Sequence, residues 1–136
     1  QGSIMTPHLG ELARLLHLKE TPEVTEELIR KVKRFSEVND ITLVVKGAPT
    51  FVVSPYQKTA VYAGGSVGMA KGGSGDVLAG VIASLLSQGC SAYKASCLGV
   101  YLHGEAGKFA ADEKTEYSLM PSDIIEKLAE VYKTLL

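Results

Sequence analysis

The sequence lacks an excess of either charge and lacks a cysteine framework. Its formal net charge is −1 over 136 residues, which argues against a broad nucleic-acid-binding surface, because such surfaces are strongly basic. Its two cysteines, Cys90 and Cys97, stand in apolar surroundings without CxxC spacing. We therefore predict two reduced thiols in the core, and neither a disulfide nor a metal site.

Long apolar runs, targeting segments and repeats are absent as well. No apolar run approaches the roughly 20 residues that a membrane-spanning helix needs, and no signal-peptide pattern opens the sequence. These absences predict a cytoplasmic protein that binds neither membranes nor nucleic acids. The length fits a single domain. Gln1, Gly2 and Ser3 resemble the remnant of an expression tag, so we place the domain at residues 4–136.

Glycine is concentrated directly before an apolar segment. Three of the four residues from Gly72 to Gly75 are glycines, and apolar residues then recur at positions 77, 78, 81, 82, 85 and 86. This spacing predicts a buried helix over residues 76–88 with Asp76 in its first turn. The first amides of a helix have no intrahelical partner and carry partial positive charge. The segment can therefore bind a phosphate beside a carboxylate.

A purely structural interpretation explains the same residues. Ser74 can serve as a helix N-cap and Asp76 as an acid favoured by the helix dipole, while the glycines only form a turn. The spacing matches neither a Walker loop nor a GxGxxG fingerprint. From the local sequence alone, both interpretations stay open.

A lysine follows the most β-prone run of the chain. Residues 41–45 are Ile-Thr-Leu-Val-Val, an uninterrupted run typical of a strand buried on both faces of a parallel sheet. Lys46 follows at the carboxyl end, where open α/β sheets bind their ligands. It can meet a phosphate there, or it can simply reach solvent.

The remaining patterns predict four further helices and a β-hairpin. Strands over residues 51–54 and 60–63 are too close for a crossover helix, so we expect them to pair antiparallel. The chain would then hold at most three strands, too few for a complete doubly wound domain. The four helices are expected over residues 9–18, from Thr21-Pro22, after the cap Ser91, and from Met120-Pro121-Ser122-Asp123.

Two histidines accompany these helices. His8 precedes the first helix, where a histidine usually serves as a cap or faces solvent. His103 falls in the middle of the fourth helix, and we interpret it as a hydrogen-bonded packing residue in preference to a ligand.

Four segments, in this order along the chain, carry a family resemblance. They are Met5-Thr-Pro-His-Leu-Gly-Glu11, Lys46-Gly-Ala-Pro-Thr50, Gly68-Met-Ala-Lys-Gly-Gly-Ser-Gly-Asp-Val-Leu-Ala-Gly80 and Cys97-Leu-Gly-Val-Tyr-Leu-His-Gly104. The chain resembles the C-terminal half of the ADP/ATP-dependent NAD(P)H-hydrate dehydratases of the ribokinase-like superfamily. The resemblance implies an α/β fold, namely the C-terminal portion of a three-layer α/β/α domain with few strands and about five helices. A missing N-terminal half, or a second chain, would complete it.

The resemblance also implies an activity: dehydration of hydrated NADH or NADPH, driven by ADP or ATP with Mg²⁺. Asp76 would be the catalytic base and, with His8, would contact the substrate. The amides of Gly73, Ser74 and Gly75 would hold the transferring phosphoryl group. Homo-oligomers are expected. The nucleotide would be bound by Gly75 and by the segment of Lys46, Gly47, Ala48, Pro49 and Thr50.

This sequence departs from the family pattern at two positions. Leu9 replaces a proline that is common in the family, and Lys71 replaces a threonine of the glycine loop. Two alternative functions stay open. One is a superfamily kinase acting on a vitamin-precursor alcohol, and the other is an inactive, truncated nucleotide-binding piece. The Thr-Pro-His and Lys-Gly-Ala segments favour the dehydratase.

Overall fold

The computed structural model describes residues 2–64, 74–113 and 120–135. Five helices and four strands follow one another in this part of the chain. In chain order they are β1 (Ser3–Met5), α1 (Leu9–Leu15), α2 (Glu26–Asn39), β2 (Ile41–Val45), β3 (Thr50–Val53), β4 (Ala60–Tyr62), α3 (Ser74–Ser87), α4 (Ala92–Glu113) and α5 (Pro121–Leu135).

The four strands form one mixed sheet in the order β1-β2-β3-β4. β1 runs parallel to β2, with Ser3 opposite Ile41. β2, β3 and β4 are antiparallel neighbours, which confirms the predicted hairpin. The predicted total of three strands is one too few. β1 is the missing strand, because three residues are too short to show a period and Ser3 was excluded from the predicted domain.

Helices cover both faces of the sheet. On one face, Leu43 and Val45 of β2 join α1 and α2 in a core. On the other face, Val44 of β2 and Val52 of β3 pack among residues of α3, α4 and α5. The residues of β2 therefore alternate between two apolar cores. This arrangement confirms both the doubly buried strand and the three-layer α/β/α architecture.

α2 begins four residues later than the Thr21-Pro22 signal indicated. Thr25 is its N-cap, and its Oγ1 accepts a hydrogen bond of 3.1 Å from the Leu28 amide. Leu28 and Val32 of α2 enter the core, whereas Val24 precedes the helix and is 38% exposed. Both threonines resemble helix caps in the sequence, but in the structure Thr25 is the residue that caps α2. α1 is also shorter than predicted and ends at Leu15.

The last two helices start at the predicted signals. The Ser91 Oγ accepts a hydrogen bond from the Lys94 amide at 3.2 Å, and α4 begins at the next residue. At the start of α5, the Asp123 carboxylate accepts one from the Met120 amide at 2.7 Å. Cys90 and Cys97 are free and pack at the margin of the larger core. In the described ranges, no helix is long and apolar enough to cross a membrane.

Gly99 of α4 permits the close approach of α3. A Cβ added at Gly99 would lie 2.6 Å from Ile82 Cγ1. We therefore expect Gly99→Ala to lower the free energy of unfolding by about 1–3 kcal/mol, since overpacking forces the helices apart.

Gly80→Ala is the matched control, because its added Cβ meets nothing within 4 Å. It should stabilise the protein by roughly 0.5–1 kcal/mol by restricting the unfolded backbone. Denaturant unfolding measures both changes, and equal stabilities would contradict this account of the α3–α4 contact.

Candidate active site

The carboxyl end of β2 meets the amino end of α3. Lys46 follows the last residue of β2, and its ammonium lies against the first turn of α3. A Cβ added to Gly75 would be only 3.0 Å from Lys46 Nζ. Since the first amides of α3 have no partner within the helix, a full positive charge and several partial ones lie side by side. This combination suits an anion such as a phosphate.

Asp76 lies in the same first turn of α3 and is exposed. It makes no ion pair with any residue that the structure describes. Its side chain borders a groove of about 560 Å³ between α3 and α5. The carboxylate is therefore accessible to a ligand that enters this groove. The groove is otherwise lined by Val77, Gly80, Val81, Ser84, Ile125 and Leu128.

The loop after β2 is closed by the side chain of Thr50. Its hydroxyl donates a hydrogen bond of 2.9 Å to the Gly47 carbonyl and accepts one of 3.3 Å from the Gly47 amide. Ala48 is exposed and Pro49 is half-buried within this loop. Thr50 also borders a smaller recess of about 180 Å³ between β3, β4 and α4. Lys46 is held from the other side, because its amide donates to the Pro7 carbonyl at 2.9 Å.

His8 is the N-cap of α1, as one of its two interpretations proposed. Its Nδ1 accepts a hydrogen bond of 3.1 Å from the Glu11 amide, while the Glu11 carboxylate accepts one of 3.1 Å from the His8 amide. His8 also forms a parallel bridge with Lys46. The cap therefore places an exposed imidazole at the same end of the sheet as Lys46.

Glu11 is a residue of this site that has no predicted role. The hydrogen bond from the His8 amide, together with the nearby charges of His8 and Lys46, holds the pKa of its carboxyl below the usual value. Only its position in the segment that begins at Met5 could have identified Glu11 from the sequence, and that segment alone assigns it no function.

His103 contacts the first residue of α3. It is only 8% exposed, and its Nε2 lies 3.0 Å from the Ser74 carbonyl oxygen and 3.2 Å from Ser74 Oγ. Burial lowers the pKa of His103 to about 4, and the charge of Lys46 acts in the same direction. The imidazole is therefore neutral near pH 7. His103 therefore is a packing residue that forms hydrogen bonds, as predicted. Its hydrogen-bond partner, Ser74, is one of the predicted site residues.

The structure brings Lys46, Ser74, Gly75 and Asp76 together where β2 ends and α3 begins. Ser74 is the first residue of α3, so α3 starts two residues earlier than predicted and Ser74 is not its N-cap. The predictions for Gly73 and Lys71 lie outside the described residues.

The chain is similar to known proteins over nearly its whole length. A family model described as NAD(P)H-hydrate dehydratase matches residues 1–130. A bifunctional NAD(P)H-hydrate repair enzyme of Moorella thermoacetica is 36% identical over 132 residues, which are 97% of this chain and 25% of that protein. The chain thus spans about a quarter of this curated relative.

Solved structures show the same fold over about half of their length. An ADP/ATP-dependent NAD(P)H-hydrate dehydratase of Bacillus subtilis, co-crystallised with ATP/Mg²⁺, superposes with a TM-score of 0.88 at 28% identity, covering 98% of this chain and 48% of that one. A ribokinase-like superfamily protein of Enterococcus faecalis superposes with a TM-score of 0.81 at 32% identity, covering 96% of this chain and 44% of that one. The chain belongs to the NAD(P)H-hydrate dehydratase family.

Proposed function

We propose that this chain is the C-terminal, phosphoryl-transferring half of an ADP/ATP-dependent NAD(P)H-hydrate dehydratase. The observation that carries the proposal is the contact between the Lys46 ammonium and the first turn of α3 at Gly75. That contact puts a cation beside the helical turn that holds the free amides and the exposed Asp76. A nucleotide phosphate and a substrate hydroxyl could meet between them.

The proposed reaction has two steps. In the first, the hydroxyl oxygen on the hydrated nicotinamide ring attacks the terminal phosphorus of ADP or ATP. The bridging P–O bond breaks, the shortened nucleotide leaves with its electron pair, and Asp76 accepts the hydroxyl proton. In the second, the C–O bond breaks as phosphate leaves, and the neighbouring carbon loses a proton to restore the dihydropyridine. Phosphoryl transfer itself depends mainly on positioning and charge stabilisation.

Each part of the site has a role in this proposal. The amides of Gly73, Ser74 and Gly75 would bind the transferring phosphoryl group, where one preorganised donor is typically worth about 100- to 1,000-fold in rate. The loop from Lys46 to Thr50 would hold the rest of the nucleotide, whose base could enter the recess beside Thr50. His8, next to Lys46 at this end of the sheet, would contact the hydrated ring.

Mg²⁺ would accompany the nucleotide. Among the described residues, no group of three or more His, Cys, Asp and Glu side chains could hold a metal ion. Asp76 offers a single exposed carboxylate at the start of α3. This donor set fits a magnesium ion held by phosphate oxygens and water with little help from protein side chains. When bound, the cation would neutralise phosphate charge.

We further propose that an upstream half completes the domain, with residues 4–136 forming the partial ribokinase-like unit described above. The length of the solved relatives supports this, as does the position of β1 at an edge of the sheet. A parallel edge strand with unpaired amides and carbonyls can accept another strand. A second copy of the chain could occupy the same edge in a homo-oligomer. We expect the completed protein to act in the cytoplasm.

Turnover of the hydrated cofactor tests the proposal. We call this chain, joined to the upstream residues that its gene encodes, the extended protein. With ADP or ATP and Mg²⁺, we expect the extended protein to convert hydrated NADH or NADPH to the reduced cofactor, with recovery of the near-ultraviolet absorbance. This chain alone should bind the nucleotide without turnover, because the substrate pocket lacks its other half.

The control substrates are thiazole and pyrimidine alcohols. Phosphorylation of these alcohols without action on the hydrated cofactor would overturn the proposed function in favour of a vitamin-precursor kinase. Equal turnover by this chain and by the extended protein would overturn the need for an upstream half.

A further inference from the structure

His103 joins α4 to the first residue of α3 through a buried polar contact. The carbonyl of Ser74 can only accept a hydrogen bond, so the Nε2 atom 3.0 Å away must carry the proton. The same N–H faces Ser74 Oγ at 3.2 Å, and it leaves the Ser74 hydroxyl able to donate. Both residues are buried, with 8% and 2% of their surface exposed. The contact is therefore shielded from competition by water.

This contact lies where α3 needs support. The buried residues of α3 beyond Ser74 are Leu78, Val81, Ile82 and Leu85. Their apolar contacts do not impose a specific orientation on the helix. Apolar packing holds the helix on the sheet, but it tolerates small shifts of the first turn. A hydrogen bond to Ser74 O fixes the peptide plane that carries the Gly75 amide, since that carbonyl and that amide belong to the same planar unit.

We propose that His103 is a positioning residue, which locks the first turn of α3 so that the Gly75 amide and the Asp76 carboxylate keep a constant relation to the Lys46 ammonium. The inference rests on the proposed function, and it adds a residue that touches neither nucleotide nor substrate. The residue acts through Ser74. A displacement of about 1 Å at a reacting group can cost about 100-fold in rate, so such a lock has catalytic value.

The chemistry of histidine suits the task. Its ring is long enough to cross from α4 to α3, and it presents one N–H in a fixed plane. Burial and the nearby Lys46 keep it neutral near pH 7. A lysine or arginine at this position would carry a second full charge into the buried space beside the anion site.

The test compares His103→Leu, His103→Gln and Leu102→Ala in the extended protein. The leucine fills the space without a donor, and the glutamine returns an N–H donor. Leu102→Ala is the stability control, because Leu102 is fully buried in the same helix and its side chain cannot form a hydrogen bond. We expect His103→Leu to lower kcat about 10- to 100-fold with little change in the KM for nucleotide. His103→Gln should recover most of the loss. Leu102→Ala should lower the Tm without a comparable fall in kcat.

Amide hydrogen exchange at Leu78 gives a readout that does not depend on turnover, because in an α-helix the Leu78 amide pairs with the Ser74 carbonyl. Its exchange should accelerate about tenfold in His103→Leu, where the first turn loses one hydrogen bond, and should be near normal in His103→Gln and Leu102→Ala. If the unsubstituted extended protein fails to turn over the hydrated cofactor, the proposed function fails and exchange still tests the lock. Normal exchange in His103→Leu, or an equal effect from Leu102→Ala at matched stability, would overturn the inference.

Discussion

Asp76→Asn is expected to lower kcat for the hydrated cofactor by about 100- to 10,000-fold, the range typical of a lost general base. Asparagine has nearly the same shape as aspartate but cannot take the hydroxyl proton. Since Asp76 is exposed and makes no ion pair with the described residues, its replacement should disturb the fold little. The stability cost should be limited to the helix-dipole contribution, roughly 0.3–1 kcal/mol.

The affinity for nucleotide shows whether Asp76→Asn impairs the catalytic step or the binding site. The affinity for ADP or ATP should stay within a few-fold of the original, because the amides of α3 and the Lys46 ammonium are unchanged. Asp112→Asn, an exposed acid on α4, is the matched control and should have normal turnover. Near-normal kcat in Asp76→Asn would remove this residue from the proposed catalytic role.

Lys46→Met should mainly weaken the binding of nucleotide. A hydrogen bond to a charged partner contributes about 1.5–3 kcal/mol, which corresponds to a loss of about 10- to 150-fold in affinity. Methionine retains most of the apolar stem, so packing at the end of β2 should be preserved. Titration of ADP and ATP by calorimetry measures the change. The affinity of the original protein should also fall with added salt more steeply than that of the variant.

Lys94→Met provides the comparison for Lys46→Met. Lys94 is exposed on α4, and its removal changes the net charge equally without touching the site. Gly75→Ala should weaken nucleotide binding in the same direction but less, because its Cβ would meet the movable end of the Lys46 side chain at 3.0 Å. An unchanged affinity in Lys46→Met, or an equal loss in Lys94→Met, would refute a direct phosphate contact.

Most helices and strands of the fold were predictable because their signals are local. Ser91 and Pro121 mark helix starts whatever surrounds them, and the run of residues 41–45 is β-prone in any setting. Errors arose where local signals compete or are too brief. Thr21 and Thr25 both resemble caps, and only the structure shows that Thr25 is the cap of α2. β1 has three residues and is recognisable only through its pairing with β2.

The candidate site also combines features that the local sequence predicts with features that depend on tertiary contacts. Residue types at a turn and helix start predict an anion-binding segment with an acid beside it, since the amides and glycines act over a few neighbouring positions. That Lys46 lies against Gly75, and that His103 holds Ser74, depends on contacts between residues 29 positions apart.

By itself, the sequence determined the order of the elements after β1, the anion-binding character of the start of α3 and the family to which the chain belongs, because all three are encoded in short stretches. Only the tertiary structure decided which side chains share the space at the end of β2. The packing of two apolar cores against one sheet sets those distances, and no local pattern contains them.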